Sequence, residues 1–130
     1  MSKKAGPSEK ALRKAVVETA RSMSALGLSP GRSGNVSARV ADGMLVTPSG
    51  LAYDAMEPAD VVHVRADGSV APGQRRPSTE WHFHLAAYRA RPDMHALVHS
   101  HSLNATVLAC TGKPIPAFHY MVAVAGGTDI

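Results

Sequence analysis

The chain has a single cysteine, Cys110, so an intrachain disulfide is ruled out. It falls in an apolar helical stretch, where a free thiol is expected to serve as a small core side chain. Aromatic residues make up only 5% of the chain, so the core is expected to be assembled from Ala, Val, Leu and Met. No stretch approaches the roughly 20 apolar residues that a membrane span requires. The early lysines have no apolar run behind them, so no secretory signal is expected and the cytoplasm is the expected location. The formal net charge of +4 is largely local. Lys3, Lys4, Lys10, Arg13 and Lys14 open the chain, and Arg75 and Arg76 sit near its middle. No aromatics interleave with the basic start, which argues against a nucleic-acid arm. There is no Walker A loop, no Gly-x-Gly-x-x-Gly, no internal repeat and no low-complexity tract.

What the 130 residues do contain is one domain's worth of patterned sequence. A disordered tail is expected over 1–7 and a folded domain over 8–130. Ser8 can cap a helix running to about Leu26, with Leu12, Val16, Ala20 and Met23 on its apolar stripe, Ala15 and Thr19 beside it, and Gly27 as its stop. Leu28 to Arg32 reads as a turn-rich link. Gly34 to Val40 and Met44 to Thr47 read as two strands of a hairpin turning at Ala41, Asp42 and Gly43. Asp60 to Arg65 is a further strand, with a short return at Val70 and Ala71. A helix is expected from Ser78 to Arg89, with Trp81, Leu85 and Tyr88 on one face. A strand through His101 follows, then a helix from Leu103 to Cys110, then an extended run from Ile115 to Val124. Strands dominate the first half and helices alternate with them in the second, which predicts a mixed α/β layer arrangement with helices against a largely antiparallel sheet.

The chemistry concentrates between Pro77 and Ser102. His99 and His101 are two apart behind the apolar Ala96, Leu97 and Val98, and residues i and i+2 of a strand share a face. Both imidazoles would leave the sheet on one side, close enough to grip one ion, and neutral imidazole suits zinc and other late first-row metals. Glu80 follows Pro77, Ser78 and Thr79, a helix-opening sequence. There its carboxylate could interact with the helix dipole, supply a third ligand or act as a general base. His82, His84 and His95 are expected on helix or loop surfaces. Three further pieces, Gly34-Asn35, Ser49-Gly50 and Ser78-Thr79, each offer free backbone N–H groups and a hydroxyl or amide, a character that suits phosphate. Their spacing alone does not say whether they converge.

Taken in order, Gly34-Asn35-Val36-Ser37-Ala38-Arg39, Met44-Leu45-Val46-Thr47-Pro48-Ser49-Gly50, Pro77-Ser78-Thr79-Glu80-Trp81 and Val98-His99-Ser100-His101 resemble the motifs of the class II aldolase/adducin family. Ile115-Pro116-Ala117-Phe118-His119-Tyr120-Met121 and Ala125-Gly126-Gly127 extend the likeness, which covers nearly all the chain from Leu12. The fuculose-1-phosphate aldolase branch looks most similar. The resemblance implies a three-layer α/β/α domain with a central, mostly antiparallel sheet. It also implies a zinc enzyme that cleaves a ketose 1-phosphate to dihydroxyacetone phosphate and an aldehyde. His99 and His101 would then be metal ligands, Glu80 the acid/base residue that also binds the metal when no substrate is present, and Tyr120 a proton donor lent to a neighbouring subunit. Asn35, Ser49, Gly50, Ser78 and Thr79 would hold the substrate phosphate, in a homotetramer. Family members continue past the end of this chain and carry a third metal histidine there, so the chain is expected to be an N-terminal portion with apolar surface left uncovered. The same motifs serve related epimerases and dehydratases, and adducin-like interaction modules keep the fold without the metal chemistry.

Overall fold

The computed structural model of the protein describes residues 6–29 and 33–124. Most of the expected tail over 1–7 lies outside them, as do Pro30 and Gly31 of the expected link and the Gly126-Gly127 motif. The first helix, α1 (Glu9–Ala25), begins where Ser8 Oγ accepts the Ala11 amide at 3.3 Å and stops before Gly27, which takes φ 67°. Val16, Val17, Ala20 and Met23 are its buried residues, with Leu12 packed alongside. Val17 takes the flank expected of Ala15 and Thr19, which face solvent.

Four strands follow: β1 (Asn35–Val40), β2 (Gly43–Val46), β3 (Val62–Arg65) and, after the second helix α2 (Trp81–Ala90), β4 (Ala96–His99). They lie in the order β3-β2-β1-β4, and every neighbouring pair is antiparallel. Alternation along the strands divides the apolar side chains between the two faces of the sheet. Val36, Ala38 and Leu45 join α1, Tyr53, Met56 and Val61 on one face. Met44, Val46, Val62 and Val64 join Leu85 and Tyr88 of α2 on the other, with Trp81 and Leu97 at the margin. The result is three layers, α1, sheet and α2, and each fully buried aliphatic side chain contributes roughly 1.5–3 kcal/mol. Val70 bridges Val64 as the short return strand. Arg39 pins the connection from α2 to β4, donating to the carbonyls of Tyr88, Arg91 and Met94 at 2.7, 2.9 and 2.7 Å. That clamp sets where β4, and with it His99, meets β1.

The last described elements are α3 (Leu103–Thr111) and α4 (Tyr120–Val124). The extended run expected from Ile115 to Val124 is helical at its end. His119 turns the chain there, because its Nδ1 accepts the Met121 amide at 3.2 Å and its carbonyl accepts that of Val122 at 3.0 Å. Cys110, expected in the core, is exposed, because α3 buries none of its residues among those described. Leu103, Val107, Phe118, Tyr120 and Val124 are exposed as well. None of the described helices is long and apolar enough to cross a membrane.

Candidate active site

The three donor-rich pieces meet because β2 continues past its last residue. Ser78 donates its amide to the Thr47 carbonyl at 3.0 Å, Ser49 donates to Arg76 at 2.9 Å, and Pro48 and Pro77 face each other as a bridge. On the opposite side of that segment Thr47 holds β1, donating its amide to Val36 O at 3.0 Å and accepting the Val36 amide on Oγ1 at 3.2 Å. These bonds take up the Ser49 and Ser78 amides that were expected to be free, and bring Asn35, Ser49, Gly50, Ser78 and Thr79 around one cleft of about 310 Å³, with Glu80 and His101 in its wall. The wall also includes Tyr53, whose hydroxyl donates to the Gly34 carbonyl at 2.6 Å. Burial first, then the nearby Glu80 charge, raises the Tyr53 pKa, so the phenol keeps its proton and remains a donor.

Asn35 and His99 are directly paired across β1 and β4, so their side chains leave the same face of the sheet. His101 follows just beyond the strand, its amide bonded to the buried Ser29 Oγ at 3.3 Å. The two imidazole Nε2 atoms lie 2.9 Å apart. Glu80 Oε1 is 3.3 Å from one and 3.6 Å from the other. These are the one group of three potential metal ligands among the described residues, with all three ligand atoms within 4.8 Å of one another. Glu80 is the residue before the first turn of α2, one step earlier than a first-turn position, and makes no capping bond. Its amide goes to Ser78 Oγ at 3.3 Å, and its carboxylate turns to Asn35 and the histidines. Burial pushes the Glu80 pKa up, but the Asn35 bond and the two imidazoles outweigh it, so the carboxylate titrates below its ordinary range.

His84 departs from expectation. It is 1% exposed, lying under α2 against β1, with Ser37 Oγ at 2.6 Å from Nδ1 and Asn35 Oδ1 against Nε2. Its position was readable: it stands three after Trp81 and four before Tyr88, on the face already assigned to the core. Asn35, Ser37 and Arg39 alternate as polar residues along β1, which marked the face it had to meet. His82 and His95 are exposed as expected. Tyr53 and Ser29 carried no comparable signal, since nothing local ties either to the cleft. Tyr120 is 73% exposed on α4 and does not line the cleft.

Burial, followed by the charge of His99, lowers the His84 pKa to about 4, while Glu80 opposes the shift. The unfolded ring takes a proton near pH 6.5 and the folded ring refuses it, so this contribution to stability is intact above pH 6.5 and is lost as the pH falls towards 4. From pH 7.5 to pH 5 it should cost about 2 kcal/mol, from the difference in proton uptake between the two states. Urea titrations at both pH values should show a steeper loss for the native chain than for His84→Gln, and equal slopes would refute the assignment.

Residues 14–130 match the Class II Aldolase and Adducin N-terminal domain family, and the chain belongs to that family. It is 51% identical to the 5-methylthioribulose-1-phosphate/5-deoxyribulose-1-phosphate aldolase of Rhodospirillum rubrum, over 92% of this chain and 54% of that protein. It is 43% identical to the L-fuculose phosphate aldolase of Escherichia coli K12, over 92% of this chain and 55% of that protein. A solved L-fuculose 1-phosphate aldolase superposes with a TM-score of 0.84 at 36% identity, over 92% of this chain and 57% of the other. The chain thus spans about half the length of these relatives.

Proposed function

We propose that residues 8–130 form the N-terminal portion of a zinc-dependent class II aldolase that cleaves a ketose 1-phosphate to dihydroxyacetone phosphate and an aldehyde. The observation that carries this reading is one cleft lined by Asn35, Ser49, Gly50, Ser78 and Thr79, with the Glu80 carboxylate and the converging His99 and His101 imidazoles beside it. The donor set fits zinc: ligands at 2.0–2.1 Å on a tetrahedral ion lie roughly 3.3 Å apart, close to the spacings here, and three protein ligands leave a position open. His99 and His101 would hold the ion, with Glu80 as a third ligand only while no substrate is bound, and the ion when bound supplies Lewis-acid polarisation of the substrate carbonyl.

Asn35, Ser49, Gly50, Ser78 and Thr79 bind the phosphate, which orients the sugar through a group that does not react. As the bond between C3 and C4 breaks, the C4 hydroxyl gives up its proton and becomes the aldehyde. Its bonding pair stays on C3, and Glu80 moves the proton to that carbon. Tyr120, exposed on α4, suits a proton donor lent to the next subunit of a homotetramer, and the cytoplasm is the compartment proposed. Fuculose 1-phosphate is one candidate substrate. The higher identity to the Rhodospirillum protein favours 5-deoxyribulose 1-phosphate or its methylthio analogue beside it.

The test is the chain purified without chelator or histidine tag, assayed for zinc and for dihydroxyacetone phosphate release from each of these ketose phosphates. About one zinc per chain is expected, and Glu80→Gln should slow release by about 10²–10⁴-fold, the usual worth of a positioned acid/base group. A chain that takes up no zinc when the metal is added back would overturn the reading. Epimerised or dehydrated sugar phosphate in place of the two fragments would assign the site to the related epimerase or dehydratase chemistry. Zinc uptake without any turnover would leave an adducin-like module or an inactive portion.

A further inference from the structure

The hydrogen bonds behind Glu80 all point one way. Glu80 Oε2 meets Asn35 Nδ2 at 2.7 Å, and Asn35 Oδ1 meets His84 Nε2. His84 Nδ1 meets Ser37 Oγ at 2.6 Å, and Ser37 Oγ meets the Tyr88 hydroxyl at 2.7 Å. The chemistry of each group sets the polarity of the chain. An ionised carboxylate only accepts, so the Asn35 amide must turn its NH₂ towards Glu80. Its carbonyl oxygen, which also only accepts, then faces His84, so the imidazole proton resides on Nε2. A neutral imidazole has one N–H, so Nδ1 is bare and accepts from the Ser37 hydroxyl, whose oxygen accepts from Tyr88. Asn35, Ser37, His84 and Tyr88 are each no more than 3% exposed, so bulk water has little access to replace a lost donor.

We propose that His84 is a positioning residue: by donating from Nε2 to Asn35 Oδ1 it locks the amide in the one orientation that anchors Glu80 Oε2, leaving Oε1 turned towards His99 and His101. With that donor removed, the amide can flip and set its oxygen against the carboxylate, which turns an attractive contact into a repulsive one. Asn35 also lines the anion cleft, so a single buried amide orients both the carboxylate and the phosphate wall. Outer partners of this kind set how metal ligands are aimed, and losing them typically weakens metal binding 10–100-fold.

This inference rests on the reading of Glu80 as a metal-facing carboxylate, and two readouts keep the two apart. Zinc affinity is measured by competition with a chromophoric chelator for the native chain, His84→Gln, His84→Leu and Glu80→Gln, each verified as folded by circular dichroism. Glutamine can still donate from its amide nitrogen, so His84→Gln should stay within about threefold of native while His84→Leu weakens zinc about 10–100-fold. The second readout is the Asn35 side-chain amide in ¹⁵N–¹H spectra of the metal-free chain. It should keep its native shift in His84→Gln and lose it in His84→Leu. Native zinc affinity and an unmoved amide in His84→Leu would overturn the proposal. Equal losses in both His84 variants would also overturn it, since that pattern marks packing rather than hydrogen bonding. If Glu80→Gln binds zinc as the native chain does, the metal-ligand reading fails while the amide shift still decides the role of His84. If His84→Leu does not fold, the native imidazole ¹⁵N spectrum decides: protonated Nε2 with bare Nδ1 is required, and the opposite tautomer refutes it.

Discussion

His99→Ala is expected to leave the purified chain without bound zinc and to weaken its zinc affinity by more than about 100-fold, beyond what losing an outer partner costs. His99 projects from the last residue of β4, on the face it shares with Asn35, and its Nε2 lies 2.9 Å from that of His101 and 3.3 Å from Glu80. With it gone, one imidazole and one carboxylate oxygen remain, too few for the three protein ligands that catalytic zinc takes. The side chain is 38% exposed and at the end of an edge strand, so truncation should change stability by less than about 1 kcal/mol. Loss of metal would therefore report loss of the ligand rather than of the fold. His95→Ala is the control, because that ring is exposed and outside the ligand group. Metal analysis of the three proteins checks the prediction, and a full equivalent of zinc in His99→Ala would remove His99 from the site.

Gly34→Ala should be the most damaging small substitution near the site, costing about 3 kcal/mol or more. Gly34 takes φ 82°, in the left-handed region that L side chains adopt at a cost of roughly 1–2 kcal/mol. A Cβ there would lie 2.5 Å from the His99 carbonyl oxygen, 2.7 Å from Ser29 Oγ and 3.2 Å from the Met23 methyl. The first neighbour is backbone of β4 and cannot swing aside. The strand must move instead, and the overlap adds to the backbone strain. Both close neighbours also serve the site: His99 carries a proposed ligand, and Ser29 holds the His101 amide. The variant should lose stability in urea and weaken zinc binding together. A loss below 1 kcal/mol would mean that β4 is looser against β1 than their register indicates.

Much of this was legible from local pattern. The α1 stripe, the hairpin at Asp42-Gly43 and the alternation of β1 follow from periodicities of 3.6 and 2, which side-chain direction imposes wherever one face is buried. The likeness to the aldolase/adducin family lay instead in the order of its motifs, from Gly34-Asn35 to Val98-His99-Ser100-His101, and the family match bears it out. The misplaced residues have a common cause. His84, expected on a surface, is buried because Ser37 and Asn35, 47 and 49 residues away, satisfy both of its nitrogens. Cys110, expected in the core because its neighbours are apolar, is exposed on α3, which buries none of its described residues. In both cases the deciding contact, or its absence, lies far away in sequence.

Residue order alone was enough for α1, α2 and α3, the hairpin and the closeness of His99 to His101 across a two-residue step, because each depends on neighbours within one or two turns. The meeting of three turn-like pieces in one cleft, and the single direction of the hydrogen bonds from Tyr88 to Glu80, came from the packed sheet. They depend on the register of β1 with β4 and on the pairing of the Thr47 segment with Ser78, contacts between residues 31 to 64 positions apart that leave no trace in local spacing.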